Sequence, residues 1–294
     1  MGINDINIED LNEILNEVSY GDVFYNEVNK ENENENDNNK NKKKRKSRYN
    51  EELGHYFAGL LDGCGKITLN SITFNYTHGG ILLAYHILEL LNISRYNDNI
   101  YIDIRNNLLV IKGEENINRI INLVNFKFRK LSILYELELY ILYNDYNKII
   151  QRNGYYYDFD NAWFAGFVDA KGKFFFKLNP KSDLNYYSMG LSLSFDEEHL
   201  LDDISNYFGG YITYFNNTKS YSYITYHESV YVSPNIIRYF DKYNLSPKRE
   251  MEIKYYNDVH NIISNMDINP NKRYLESTIL LTKIIEWKKS SKQL

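Results

Sequence analysis

Two nine-residue stretches hold the groups in this sequence most able to do chemistry. Phe57–Gly65 reads FAGLLDGCG and Phe164–Gly172 reads FAGFVDAKG, the second starting 107 residues after the first. Each carries a carboxylate, Asp62 or Asp169, and two residues later a group that differs between the copies: the thiol of Cys64 and the ammonium of Lys171. At about 100° per helical residue, positions two apart point roughly 200° away from each other. A neutral thiol is a soft, poor ligand for a hard divalent cation, and an ammonium repels one.

Small residues in the same stretches indicate how the two copies meet. Ala58-Gly59 and Ala165-Gly166 interrupt otherwise bulky helices. A glycine inside a helix costs about 0.5–1 kcal/mol, a cost offset where two backbones approach closely. Two copies in one chain pair with each other, so the helices are expected side by side about a pseudo-twofold axis, with their C-terminal ends together.

The flanking sequence repeats around this pair. YNEELGHYFAGLLDG reads as a helix, KITLN and SITFNY as strands, GGILLAYHILELLNI as a helix with apolar residues three to four apart, and NIYIDI and LLVIKG as strands turned by RNN. Helices follow at EENINRIINLV and LSILYELELYILYNDY. The order αββαββα restarts at DFDNAWFAGFVDA. Its strands are KFFFKL, YYSMGLSLSF, GYITYF and SYSYITYHES, and its helices EEHLLDDISNYF, SPNIIRYFDKYN and KREMEIKYYNDVHNIISN. The fold class is therefore α+β, with two pseudo-equivalent domains at 51–150 and 151–294. Residues 1–50 form an N-terminal extension. NIEDLNEILNEV suggests a short amphipathic helix, and a polar low-complexity run follows that cannot bury enough surface to fold alone. The run ends in a basic tract, Lys42–Arg48, which reads as a solvated linker, a phosphate-binding arm or a nuclear-import signal.

Composition narrows the class further. The 294 residues are 43% hydrophobic and hold one cysteine, which excludes an internal disulfide. No apolar run reaches the roughly 18 residues of a membrane span. The acidic start MGINDINIED lacks the features of a signal peptide or a mitochondrial presequence. The net charge of −5 is unusual for a nucleic-acid binder, but residues 1–50 hold eleven acidic against eight basic residues. The remainder is near neutral, so any nucleic-acid surface must be local. The 29 tyrosines accompany heavy use of Asn, Ile and Lys, all residues with AT-rich codons.

Beyond the two stretches, LGHYFAGLLDGCGKI, INLVNFKFRKLSILYEL, NAWFAGFVDAKGKF and LSPKREMEIKYYNDVHNII together resemble the LAGLIDADG homing endonuclease and maturase family, in the single-chain, two-motif form encoded by organellar group I introns. The resemblance runs from about Leu53 to Asn265. It implies two domains packed through the paired motif helices, each with a saddle-shaped antiparallel sheet that grips the DNA major groove. It also implies a Mg²⁺-dependent double-strand cut, with one metal-binding acid at the eighth motif position. Those positions are Cys64 and Lys171, so no intact catalytic residue, no metal site and no cofactor is expected; Mg²⁺ enters only if the chain is an active endonuclease. The resemblance further implies phosphate contacts from Lys127, Arg129 and Lys130 in NFKFRK, where Phe126 replaces the usual glycine and Lys130-Leu131 the usual Thr-Pro, and from Lys248 and Arg249 in SPKRE. Lys66, Arg105, Lys112, Lys173 and Lys177 fall on the strands or turns that would face nucleic acid, and Lys171 would meet its backbone directly.

The expected partner is nucleic acid: structured RNA, as for the family's maturases, with double-stranded DNA as the alternative. Ribonucleoprotein partners, a monomer by pseudo-symmetry, no membrane and a mitochondrial location accompany this reading, with plastid or nucleus as alternatives. Two other functions stay open, a working endonuclease and a protein-binding platform.

Overall fold

The computed structural model describes residues 38–144, 159–179, 186–215, 220–227, 234–265 and scattered positions from 267 to 284. Its contacts divide into the units Met1–Arg48 and Tyr49–Leu294, and all that follows concerns the second. The expected helix at residues 7–18 lies outside the described residues.

The chain runs α1 (Asn38–Cys64), β1 (Gly65–Ile67), β2 (Ser71–Asn75), α2 (Ile81–Leu90), β3 (Ile100–Asp103), β4 (Leu108–Lys112), α3 (Glu114–Val124) and α4 (Leu131–Tyr143). It then repeats the order with α5 (Trp163–Lys171), β5 (Lys173–Asn179), β6 (Tyr186–Phe195), α6 (Glu198–Phe208), β7 (Tyr211–Phe215), β8 (Ser220–His227), α7 (Pro234–Lys242) and α8 (Pro247–Ser264). The two sheets have one topology, β1-β2-β4-β3 and β5-β6-β8-β7, and every pairing is antiparallel. This is the duplicated α+β architecture that the repeat implies. One boundary differs from the expectation. α1 begins at Asn38, so the basic tract Lys42–Arg48 is helical rather than a linker. No Gly or Pro occurs between Asn38 and Leu53, and Lys and Arg are good helix formers.

The two motif helices are the centre of the fold. Trp163 to Ala170 is buried throughout, as are Tyr56 to Leu61. A Cβ added at Gly59 would lie 1.9 Å from the Trp163 carbonyl oxygen and 2.8 Å from the Phe167 amide nitrogen. One added at Gly166 would lie 1.9 Å from the Tyr56 carbonyl oxygen and 3.0 Å from the Leu60 amide nitrogen. Trp163 and Phe167 occupy the repeat positions of Tyr56 and Leu60, so each helix meets the other through the same contact. A Cβ at Gly63 would meet Ala170, its own repeat equivalent, at 2.5 Å. The pseudo-twofold expected from the small residues is thus built from backbone touching backbone at two glycines.

Each sheet covers one flank of this pair. On β2 and β4 the residues Ile72, Phe74, Leu109 and Ile111 are fully buried, and Thr73 and Val110 between them face away from the core. On β6 and β8, Leu191, Leu193 and Tyr223 are buried in the same way. Period-two alternation therefore gives each sheet one packed face and one open face.

Candidate nucleic-acid interface

The carboxylates of the two motifs are structural braces. Asp62 Oδ2 accepts the Arg129 backbone amide at 2.8 Å and the Trp163 indole N–H at 2.8 Å. Asp169 Oδ2 accepts the Tyr56 hydroxyl and the Ser246 amide, both at 2.7 Å, while its Oδ1 accepts the Ser246 hydroxyl at 2.6 Å. Each acid thus ties its own helix to an aromatic side chain of the opposite motif helix and to the loop that starts α4 or α8. Burial raises both acids, Asp62 to about 7 and Asp169 to about 6, against the lowering effect of these hydrogen bonds. The partners Tyr56 and Trp163 were legible in principle: they share a repeat position, and each has an aromatic body with a polar tip.

Beyond the braces the two helix ends differ. Burial pushes the Cys64 thiol up to about 12, despite the nearby charge of Lys171, so the thiol stays neutral. Among the described residues no three His, Cys, Asp or Glu side chains come together as a metal would need. With Asp62 and Asp169 committed to internal donors, the helix ends present a neutral sulfur and an ammonium. That donor set does not fit a hard divalent cation.

It does suit an anion. Burial lowers the His78 pKa to about 4, helped by the charges of Lys173 at the start of β5, Lys171 at the end of α5 and the internally paired Arg249, so the two lysines lie near it. Lys248 joins them, since a Cβ at Gly80 would lie 3.2 Å from its Nζ. Nothing in the sequence around His78 signals this position; the cluster forms because the β2–α2 loop passes the ends of α5 and α8.

The other expected basic residues divide by exposure. Lys66, Arg105, Lys112 and Lys173 are exposed, on β1, in the β3–β4 turn, at the end of β4 and at the start of β5. Lys177 lies on β5, but its side chain is outside the described residues. Lys127 is half-buried, and burial lowers its pKa. Two expectations need correction, those for Arg129 and Arg249. Arg129 is 5% exposed, with its guanidinium 4.2 Å from the Trp163 ring centre and 4.5 Å from that of Phe159. Arg249 is 3% exposed; it pairs with Glu252 at 2.5 Å and donates to the His78 carbonyl at 3.1 Å. Lys130 is paired with Asp196 at 3.4 Å and lies 4.7 Å from the Phe195 ring centre. An arginine buried among carboxylates and rings serves packing, so Arg129 and Arg249 fasten loops instead of offering charge to a ligand. The two basic pairs are also not counterparts. Asp62 and Asp169 anchor Arg129 and Ser246, so Lys248 and Arg249 correspond to Leu131 and Ser132, not to Lys127 and Arg129.

The scaffold is a duplicated α+β fold with open sheet faces and a cationic end to its central helix pair. Known proteins share this architecture. Residues 164–260 match the family model described as LAGLIDADG endonuclease. Among curated relatives, the 37.2 kDa protein of cox1 intron 2 of Schizosaccharomyces pombe is 27% identical over 240 residues, 78% of this chain and 70% of that protein. The "Probable intron-encoded endonuclease aI3" of Kluyveromyces lactis is 24% identical over 266 residues, 67% of this chain and 62% of that protein. Among solved structures, the I-LtrWI LAGLIDADG homing endonuclease bound to target DNA superposes with a TM-score of 0.57 at 17% identity, covering 81% of this chain and 96% of that one. The I-AabMI meganuclease bound to uncleaved DNA gives 0.58 at 14% identity, covering 77% and 97%. The second half of the chain thus matches the LAGLIDADG endonuclease model, and the whole duplicated fold resembles that of single-chain proteins with two motif helices.

Proposed function

We propose that this protein grips nucleic acid without cutting it, as a maturase-like or RNA-scaffolding component of an intron ribonucleoprotein in a mitochondrion. The observation that carries the reading is the exchange at the ends of the paired helices. A neutral Cys64 and a cationic Lys171 stand where the family resemblance expects two metal-binding acids. The acids that remain are buried and committed to hydrogen bonds within the fold. An ammonium at this end neutralises a phosphate directly, and Lys173 and Lys248 beside it extend the same charge. The similarity to a cox1 intron product supports the intron and mitochondrial parts of the reading. Pairing of the two motif helices within one chain supports a monomer.

The test is to incubate the full-length protein with plasmids carrying the source organelle genome, with Mg²⁺ and with EDTA. Crosslinking in native extract then identifies the nucleic acid that travels with it. Intact supercoiled plasmid and co-purifying intron RNA are the expected results. Linear DNA that disappears in EDTA would instead establish a Mg²⁺-dependent endonuclease, the alternative that the family match favours. In either case binding depends steeply on salt, because phosphate contacts release counterions.

A further inference from the structure

The two halves also cross outside the helix pair, and the two crossings are not alike. The start of α8 meets the β2–α2 loop of the first half: Arg249 donates to the His78 carbonyl at 3.1 Å, and a Cβ at Gly80 would lie 3.2 Å from Lys248 Nζ. The start of α4 meets the β6–α6 turn of the second half: Lys130 Nζ lies 3.4 Å from Asp196 Oδ1. Both crossings join the same two places in the repeat, the turn after the second strand of one half and the start of the helix that follows the braced loop of the other. They differ in charge. The β2–α2 loop, Tyr76 to Gly80, holds no acid, whereas the β6–α6 turn is Asp196-Glu197. Lys171 and Lys173 stand near the acid-free loop at His78. Their repeat equivalents are Cys64 and Lys66, and Lys130 at the other crossing already faces a carboxylate. The Lys130 side chain is 17% exposed, with its ammonium 4.7 Å from the Phe195 ring centre, while that of Asp196 is 67% exposed.

From this contrast we infer that Asp196 is an internal competitor for nucleic-acid phosphate: it occupies Lys130, so the end of the helix pair grips a backbone on the Lys171 side only. The inference rests on the nucleic-acid reading above and names the residue that makes the grip one-sided. A carboxylate and a phosphate are both anionic acceptors for the same ammonium. A phosphate that reaches Lys130 must displace Asp196 into water or sit beside it against its charge. Because the acid is tethered in the same chain, it competes at a fixed effective concentration. An ammonium neutralised from within also has fewer counterions to give up, so Lys130 adds little to the salt dependence of binding. The acid is well exposed, and exposed ion pairs are weak, so Asp196 lowers affinity several-fold without closing the position.

The test uses the full-length protein, a fluorescent RNA hairpin and a fluorescent DNA duplex, each titrated across a salt series. Asp196→Asn keeps the size of the side chain and removes its charge. It is expected to tighten binding about fivefold and to steepen the salt slope by about one contact. Asp202→Asn removes an exposed acid from α6 and reads the effect of net charge alone, expected below about twofold. Lys130→Gln keeps the stem over Phe195; in the otherwise wild-type chain it should change affinity less than about twofold, and in the Asp196→Asn background it should abolish the gain. Asp196→Asn binding no tighter than Asp202→Asn overturns the inference. So does a gain that survives Lys130→Gln, or a loss on Lys130→Gln alone as large as that on Lys171→Ala. Should Lys130→Gln fail to fold, the comparison of Asp196→Asn with Asp202→Asn decides by itself. If the wild type binds a probe and that comparison is flat, this inference fails and the nucleic-acid reading stands. If it binds neither probe, both fail.

Discussion

The first and second halves of this molecule agree where packing decides and part where a ligand would decide. Gly59 and Gly166 make the same contact with the opposite helix, and Asp62 and Asp169 make equivalent braces. The strand order is identical. Two residues beyond the braces, the halves hold Cys64 and Lys171, and the cationic cluster around His78 belongs to the second half's end of the pair. The contrast teaches that the two motifs still serve as a helix interface whatever chemistry their ends carry. A backbone clash is paid by the whole fold, whereas a helix end open to a ligand can change at little cost to stability.

The most severe way to break the symmetry is at the glycines. Gly59→Ala and Gly166→Ala should each destabilise by about 4 kcal/mol or more, because the new methyl meets backbone oxygen and neither helix can yield alone. The gain of about 0.5–1 kcal/mol in helix propensity does not offset this. Denaturant unfolding checks it, and a large inequality between the two variants would show that the halves are not packed alike.

The braces give the next effect. Both acids titrate above their ordinary range when folded, so their contribution to stability is complete below about pH 4 and is lost as pH rises through about 6 for Asp169 and 7 for Asp62. Asp62→Asn keeps the acceptor and removes the titration. Between pH 4 and pH 8 the stability of this variant relative to wild type should therefore improve by about 3 kcal/mol. Chemical denaturation across that range reads it, and a flat difference would mean that Asp62 ionises in the fold without penalty.

The helix ends come third. Lys171→Ala should weaken nucleic-acid binding about tenfold and reduce the salt slope by about one phosphate contact, whereas Cys64→Ala should leave both unchanged. Cys64→Asp combined with Lys171→Asp is expected to bind Mg²⁺ in calorimetry where the wild type does not. The smallest effect is at Phe126, a non-glycine residue at φ 70°. Phe126→Gly should stabilise by about 1 kcal/mol through relief of left-handed strain, visible as a rise in melting temperature.

Much of the fold was legible in the residues. Repetition of FAG and the aspartates announced the duplication, and alternation of apolar residues placed the strands. The sites were less legible because the charge of a side chain does not report its burial. Arg129 and Arg249 read as phosphate contacts in NFKFRK and SPKRE, yet they lie over rings and against Glu252. Lys171 and Lys173 stay near the surface because they follow the last buried turn of α5.

The sequence by itself determined that two small-residue helices must pair, and that a thiol and an ammonium end them, because those are properties of residue type and spacing along one element. The tertiary structure alone decided which cations gather at His78, which arginines are spent inside, and that the two sheets share one strand order. Those relations depend on strand register and on loops meeting distant helix ends, and no local pattern in a chain encodes the distance between two segments that only the closed core brings together.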